Sequence, residues 1–268
     1  MNVPLAAEPI AHFAGLTITN SMINAWIVTI FLVLVAAWIR FKSKPGAPTG
    51  LQNIMEAIVE FFLKTADNVT HDRARSKKFL PLVLTLFLFI LLNNWLGQLP
   101  GTGSIGFWKG TEFVPLLRPA TSDLNLTLAL GLFSIVCTHL FGVVTLGVWR
   151  HTNKFVQIGP LLKSFTQGPT GLLTGVIQFG VGLIEMVGEL ARVVSLSLRL
   201  FGNIFAGEVL MTVMISLAAY IVPLPFQALE LLVGLIQATV FSMLVLVFLT
   251  LATEPPHGEH TEHAADHH

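Results

Sequence analysis

The sequence predicts an all-α polytopic membrane protein. Of its 268 residues, 53% are hydrophobic and only 11% are charged, whereas a soluble domain carries about 25% charged residues. The apolar residues are grouped in several runs, each near the roughly 20 residues that a helix needs to cross a bilayer. The formal net charge is zero, so composition offers no basic excess of the kind that binds nucleic acid.

The first span is predicted at residues 23–39. Residues 1–22 lack the basic start and apolar core of a secretory signal, so we expect a short mature segment before the span. Arg40, Lys42 and Lys44 follow the span directly. The positive-inside rule places this basic end in the cytoplasm and the N-terminus outside.

Residues 51–69 have the pattern of an amphipathic helix that lies on the membrane surface. Apolar residues recur at helical spacing along one face, and Glu56, Glu60 and Lys64 belong to the other. Four basic residues follow and keep this region on the cytoplasmic side; they are Arg73, Arg75, Lys77 and Lys78.

The second span is predicted at residues 79–99, and three amides occur near its far end. Asn93, Asn94 and Gln98 could cap the helix end or line a wet entrance, and the sequence leaves both readings open. The loop at residues 100–122 carries only three charges, Lys109, Glu112 and Arg118, which fits the non-cytoplasmic side.

The third span is predicted at residues 123–148, with Asp123 as its N-cap. His139 lies midway along it, and a lone histidine there is more often hydrogen-bonded between helices than a proton carrier. Cys137 is the single cysteine of the chain. An intrachain disulfide is therefore excluded, and we expect Cys137 to be a small packing residue.

Residues 172–222 form an unusually long apolar segment without proline. Fifty helical residues reach about 75 Å, more than twice the hydrocarbon thickness of a bilayer. The segment either turns near its glycines to make two spans or forms one long, steeply tilted helix, and the missing proline favours the second. Pro223 and Pro225 then force a turn, and residues 226–251 return as the second helix of a long hairpin. We expect one membrane domain at residues 1–253 and a disordered, His-rich tail at residues 254–268.

Charged and amide residues interrupt the apolar run of this long segment. An arginine at the centre of a membrane helix costs about 2.5–3.5 kcal/mol, and ionisable residues there usually mark ion pathways. At about 100° per residue, Glu208 lies on the opposite side of the helix from Arg199. Four residues lie within roughly 40° of Arg199, and a second polar stripe occurs on the returning helix; the first set is Glu185, Arg192, Ser195 and Asn203, and the second is Gln227, Glu230, Gly234 and Gln237.

An alternative is that these charges pair internally and only hold a bundle together. Glu189 and Arg192 at i, i+3 fit that interpretation. It accounts poorly for Arg199, Glu208 and Glu230 together, because nothing close in sequence balances Arg199, and Glu208 points away from it.

The motif SLSLRLFGN at residues 195–203, followed by AGE at 206–208, resembles subunit a of bacterial F-type ATP synthase, a family of stator subunits that face a rotor ring. Supporting matches occur at residues 93–101, 123–127 and 237–241, so the resemblance covers about residues 23–253. The chain departs from many members at Arg192-Val193, where they have Lys-Pro.

The resemblance implies a role for each matching position. Arg199 matches the stator arginine that faces the ion-carrying carboxylate of the c ring. Glu208, Glu230 and Gln237 match residues that line the half-channel open to the outside, with Asn93 and Asp123 near its mouth. Glu185, Ser195 and Asn203 match positions near the cytoplasmic half-channel.

The resemblance also implies a setting for the chain. The expected partners are the c-subunit ring, the peripheral-stalk subunit b and the other subunits of the synthase, in a bacterial inner membrane, with the C-terminus cytoplasmic. We expect no catalytic site, cofactor or metal on this chain, and no phosphate-binding glycine loop occurs in it. A self-contained transporter that binds an anionic substrate at Arg199 is the alternative, although the internal repeats typical of transporters are missing from the sequence.

Overall fold

A computed structural model describes residues 7–13, 16–42, 50–99, 106–109, 112–115, 118–149, 168–217 and 222–254. Long helices dominate this part of the chain. They are α1 (Asn20–Lys42), α2 (Leu51–Thr70), α3 (Arg73–Gln98), α4 (Leu124–Leu146), α5 (Gly168–Leu217) and α6 (Pro223–Thr253). Two antiparallel hairpins accompany them, formed by β1 (Pro9–Phe13) with β2 (Leu16–Thr19) and by β3 (Gly106–Lys109) with β4 (Glu112–Pro115).

Five of these helices are long and apolar enough to cross a membrane. They are α1, α3, α4, the Gly180–Leu217 part of α5, and α6. The prediction of an all-α, multi-pass membrane protein is therefore confirmed. The two short hairpins were not predicted, because their strands of four or five residues lack a clear alternation of apolar and polar side chains.

The predicted amphipathic helix is α2. Phe62 is buried on the side that packs against α3, where its ring centroid lies 4.6 Å from that of Phe87. The opposite side carries the exposed ion pair of Lys64 and Glu60, whose atoms are 2.8 Å apart. A hydrogen bond and the charge of Lys64 lower the pKa of Glu60.

The start of α3 differs from the prediction. The helix begins at Arg73, six residues before the predicted residue 79, so the basic cluster forms its first turns. Asp72 is its N-cap, since its Oδ1 accepts a hydrogen bond 2.8 Å from the backbone nitrogen of Ala74. Hydropathy locates the apolar part of a span but not a polar first turn that a side chain caps.

The long segment at the C-terminal side is one helix, α5, of 50 residues. The interpretation in which it turns near its glycines to make two spans is therefore wrong. Pro223 and Pro225 lie in the first turn of α6, where proline needs no helical hydrogen-bond partner. The His-rich tail beyond Glu254 lies outside the described residues.

The chain divides into two compact units. The first comprises Met1–Leu130 and Leu196–Leu246, and the second comprises Gly131–Ser195 and Val247–His268. The core of the first unit is apolar and includes Ile90, Leu200, Ile204, Ala238, Phe241 and Val245. In the second unit Ile135, Val193 and Leu249 are buried.

Candidate functional site

The C-terminal half of α5 has one buried apolar face and one exposed face. Leu196, Leu200 and Ile204 recur at helical spacing and are buried in the first unit. Arg199 lies off this face and is exposed, next to the exposed Leu198. In the part of the chain that the structure describes, no carboxylate forms an ion pair with Arg199. Ionisable residues within a membrane span are rare and usually mark ion or substrate pathways.

Asn203, one turn after Arg199, connects α5 to α6. Its Nδ2 donates to Oε1 of Gln237 across 2.8 Å, and Gln237 is buried. The two helical stripes that the sequence predicted separately therefore meet at this hydrogen bond.

Glu208 is held by a residue that the sequence analysis did not single out. Nε of Arg118 lies 2.9 Å from Oε1 and 3.1 Å from Oε2 of Glu208, and Nη2 lies 3.0 Å from Oε2. This fork of donors matches the two carboxylate oxygens. The pair was missed because 90 residues separate its members. The only available signal was an arginine in a loop that carries few charges.

Glu230 lies in a space that Gly207 leaves open. The side chain of Glu230 is 6% exposed. A Cβ added to Gly207 would overlap Oε1 of Glu230 and lie 2.5 Å from its Cδ. The carboxyl group thus rests on the backbone of α5 beside Glu208, and among the described residues its Oε1 has no hydrogen-bond partner.

The amides at the end of α3 form contacts between elements. Nδ2 of Asn94 donates to the carbonyl oxygen of Gly234 in α6 across 3.2 Å, and Oδ1 accepts from the hydroxyl of Thr121 across 2.6 Å. A Cβ at Gly234 would lie 3.2 Å from Cβ of Asn94, so a glycine allows this close approach. Gly234 lies between Glu230 and Gln237 on α6, which brings the amide to the same stretch of helix.

Asn93 and Asp123 are both buried in the first unit. Nδ2 of Asn93 donates to the carbonyl oxygen of Phe89 across 2.7 Å, and its Oδ1 has no partner among the described residues. Oδ1 of Asp123 accepts from the backbone nitrogen of Asn125 across 3.0 Å, which confirms the predicted N-cap of α4. Its Oδ2 accepts from the hydroxyl of Ser21 across 2.8 Å.

The second unit contains the other predicted residues. Ser195 is exposed and Glu185 is partly exposed. Nη1 of Arg192 lies 2.5 Å from Oε1 of Glu189, so the proposed internal pair exists. Nε2 of His139, on α4, lies 3.9 Å from Oε2 of the same glutamate, which is longer than a hydrogen bond.

Comparison with known proteins gives matches over nearly the whole chain. Residues 22–250 match the family model described as ATP synthase A chain. The ATP synthase subunit a of Moorella thermoacetica is 31% identical over 240 residues, covering 90% of this chain and 93% of that protein. That of Mycobacterium marinum is 33% identical over 255 residues, 93% of each chain, and that of Trichlorobacter lovleyi is 32% identical over 238 residues, 89% of each.

Proposed function

Since this chain belongs to the ATP synthase A chain family, whose members are non-catalytic proton-translocating subunits of the Fo sector, we propose that it forms two proton half-channels with a c ring. In this role the chain couples proton flow across the membrane to ring rotation, and thereby to ATP synthesis. The residues to which we assign the main roles in proton translocation are Arg199, Glu208, Glu230 and Gln237.

The observation that carries this proposal is the polar contact set inside the apolar first unit. Glu208, Glu230, Asn203 and Gln237 lie where α5 and α6 pack together, and Asn94 reaches the same stretch of α6. Of the four residues on α5 and α6, Glu230 and Gln237 are buried, and buried carboxyl and amide groups are costly in a membrane protein and typical of proton or ion pathways. This supports a half-channel that approaches Arg199 from one side.

We assign protons a route that begins near Asn93 and Asp123, at the outer face. They pass the carboxyl groups of Glu208 and Glu230 and neutralise a carboxylate of the ring. After the ring has turned, they leave on the cytoplasmic side near Glu185 and Ser195, with Asn203 close to the transfer point. Each proton that moves through about 100 mV releases about 2.3 kcal/mol, so several protons are needed for each ATP.

Arg199 separates the two half-channels in this mechanism. A guanidinium group stays charged in any protein environment, so it attracts a ring carboxylate into its ionised form and repels a free proton. Lysine would serve less well, because burial readily removes its charge. The exposed position of Arg199, with no described carboxylate paired to it, supports a partner from outside the chain.

The wider arrangement is also part of the proposal. Residues 1–253 act as one membrane domain in a bacterial inner membrane, with the N-terminus outside and the C-terminus cytoplasmic. The α5 and α6 helices form a steeply tilted hairpin against the ring, since a 50-residue helix cannot stand upright within a bilayer. Subunit b and the other synthase subunits complete the complex.

The change Glu230→Gln tests the half-channel. Glutamine keeps the shape of the side chain but cannot take up and release a proton, so we expect slower transport and an altered pH dependence. The measurement is ATP-driven proton uptake by vesicles containing the purified complex, over a pH series. Glu60→Gln, on the exposed side of α2, is the matched control and should leave the rates unchanged. Equal rates for Glu230→Gln and the unmodified complex at every pH would reduce Glu230 to a packing residue.

A further inference from the structure

Arg118 is buried, and a buried charge is costly unless an opposite charge compensates it. Its side chain is 3% exposed, and it lies just before the short 3-10 turn at Ala120–Ser122. Among the described residues Glu208 compensates this charge, through the three contacts described above. Arg118 is buried and Glu208 is partly buried, and in this fork geometry they form a stronger pair than two exposed charges.

The two carboxyl groups at this site are not equivalent. Glu208 is bound by the guanidinium group of Arg118, whereas Oε1 of Glu230 is buried without a hydrogen-bond partner among the described residues. Glu230 rests on Gly207, the residue next to Glu208. The two carboxyl groups interact electrostatically, and of the two it is Glu208 that the guanidinium group of Arg118 contacts, so the two groups are suited to different tasks.

The charged groups that face Glu230 in the described structure come from few elements. Helix α5 contributes Glu208, and the segment before α4 contributes Arg118 behind it. Helix α3 faces this part of α6 with neutral side chains, since Asn94 donates to Gly234 and Nε1 of Trp95 donates to the carbonyl oxygen of Leu231. The asymmetry between the two carboxyl groups is therefore set by Arg118.

We propose that Arg118 is a positioning residue, which binds both oxygens of the Glu208 carboxyl group and leaves Glu230 as the carboxyl group that exchanges protons. This inference rests on the proposed function and refines it, because it assigns different tasks to two residues that otherwise look alike. Arg118 acts through Glu208 and need not touch the transported proton.

The test compares Arg118→Gln, Glu208→Gln and the double variant in the assembled complex. Arg118→Gln leaves the partly buried Glu208 carboxylate without its cation, so we expect proton uptake to slow by about tenfold or more. The pH profile of proton uptake should also change, because a positive charge beside the two carboxyl groups has been removed. The double variant leaves neither charge unpaired and should recover much of the lost rate, with a profile that now depends on Glu230.

Two further variants keep the test decisive. Arg118→Lys retains the charge but not the fork, so it should assemble, transport more slowly and keep the original pH profile, even if Arg118→Gln does not assemble. Arg75→Gln breaks an exposed pair with Asp72, whose closest atoms are 3.4 Å apart, and should change nothing.

Three results would overturn the inference: an unchanged rate and profile in an assembled Arg118→Gln complex, a double variant no faster than the slower single one, or a shifted profile in Arg118→Lys. A failure of the proposed function looks different, since it requires proton-driven ATP synthesis without Arg199. If loss of Arg199 stops synthesis while Arg118→Gln behaves normally, only the role of Arg118 is rejected.

Discussion

Replacing Arg199 with alanine is expected to leave the complex assembled and to abolish ATP synthesis driven by a proton gradient. Arg199 is exposed on α5 and lies off the buried face formed by Leu196, Leu200 and Ile204, so its removal leaves no cavity in the core. The loss is electrostatic. Without the guanidinium group, a ring carboxylate is no longer drawn into its ionised form, and protons can cross between the half-channels without turning the ring.

The measurement is ATP synthesis by vesicles carrying the purified complex, after an imposed pH jump and membrane potential. Passive proton leakage through the Fo sector is followed in parallel, and we expect it to persist in the Arg199→Ala complex. Arg75→Ala, which removes an exposed arginine of α3, serves as the control for loss of one positive charge. Normal synthesis by a correctly assembled Arg199→Ala complex would refute the stator mechanism and favour a purely structural membrane anchor.

The second large effect is expected from Gly207→Ala. The added Cβ would overlap Oε1 of Glu230. The overlapped group is the end of a flexible side chain, so the carboxyl group moves while the helices keep their packing. A displacement of about 1 Å at a reacting group can cost about a hundredfold in rate, and we expect proton uptake to fall between about tenfold and that limit.

Gly180→Ala is the matched control for this change. It is the same substitution in the same helix, and the added Cβ meets nothing within 4 Å in this chain. The gain in helix propensity, about 1 kcal/mol, is common to both variants. Combining Gly207→Ala with Glu230→Asp should restore part of the transport, because the shorter side chain avoids the new methyl group. Unchanged transport in Gly207→Ala would show that the position of the Glu230 carboxyl group does not matter.

Much of the fold could be predicted from the sequence, because a span is a local property. Apolar runs of sufficient length located the helices α1, α3, α4, α5 and α6. Asp123 was identified as a cap from its position alone. The start of α3 was wrong for an equally local reason. Its first turns are basic, and the capping hydrogen bond of Asp72 does not show in hydropathy.

The contacts of the candidate site were less predictable than its residue types. Helical periodicity placed Arg199 and Glu208 on opposite sides of one helix, and the structure agrees in that Arg199 is exposed while Glu208 is bound by Arg118. Periodicity did not show that Arg118, in a distant loop, forms an ion pair with Glu208. The roles assigned to Arg199, Glu208 and Glu230 in proton transfer stay predictions until the variants are measured.

The sequence by itself determined the membrane class, the positions of the apolar runs and the side of α5 on which each charge lies, since these follow from hydropathy and from a fixed rotation per residue. Tertiary structure decided which groups meet. Three contacts join residues far apart in the chain. They are the hydrogen bond from Asn203 to Gln237, the ion pair of Arg118 with Glu208, and the close contact of the Glu230 carboxyl group with Gly207. Such contacts depend on how helices pack, and no local pattern carries that information.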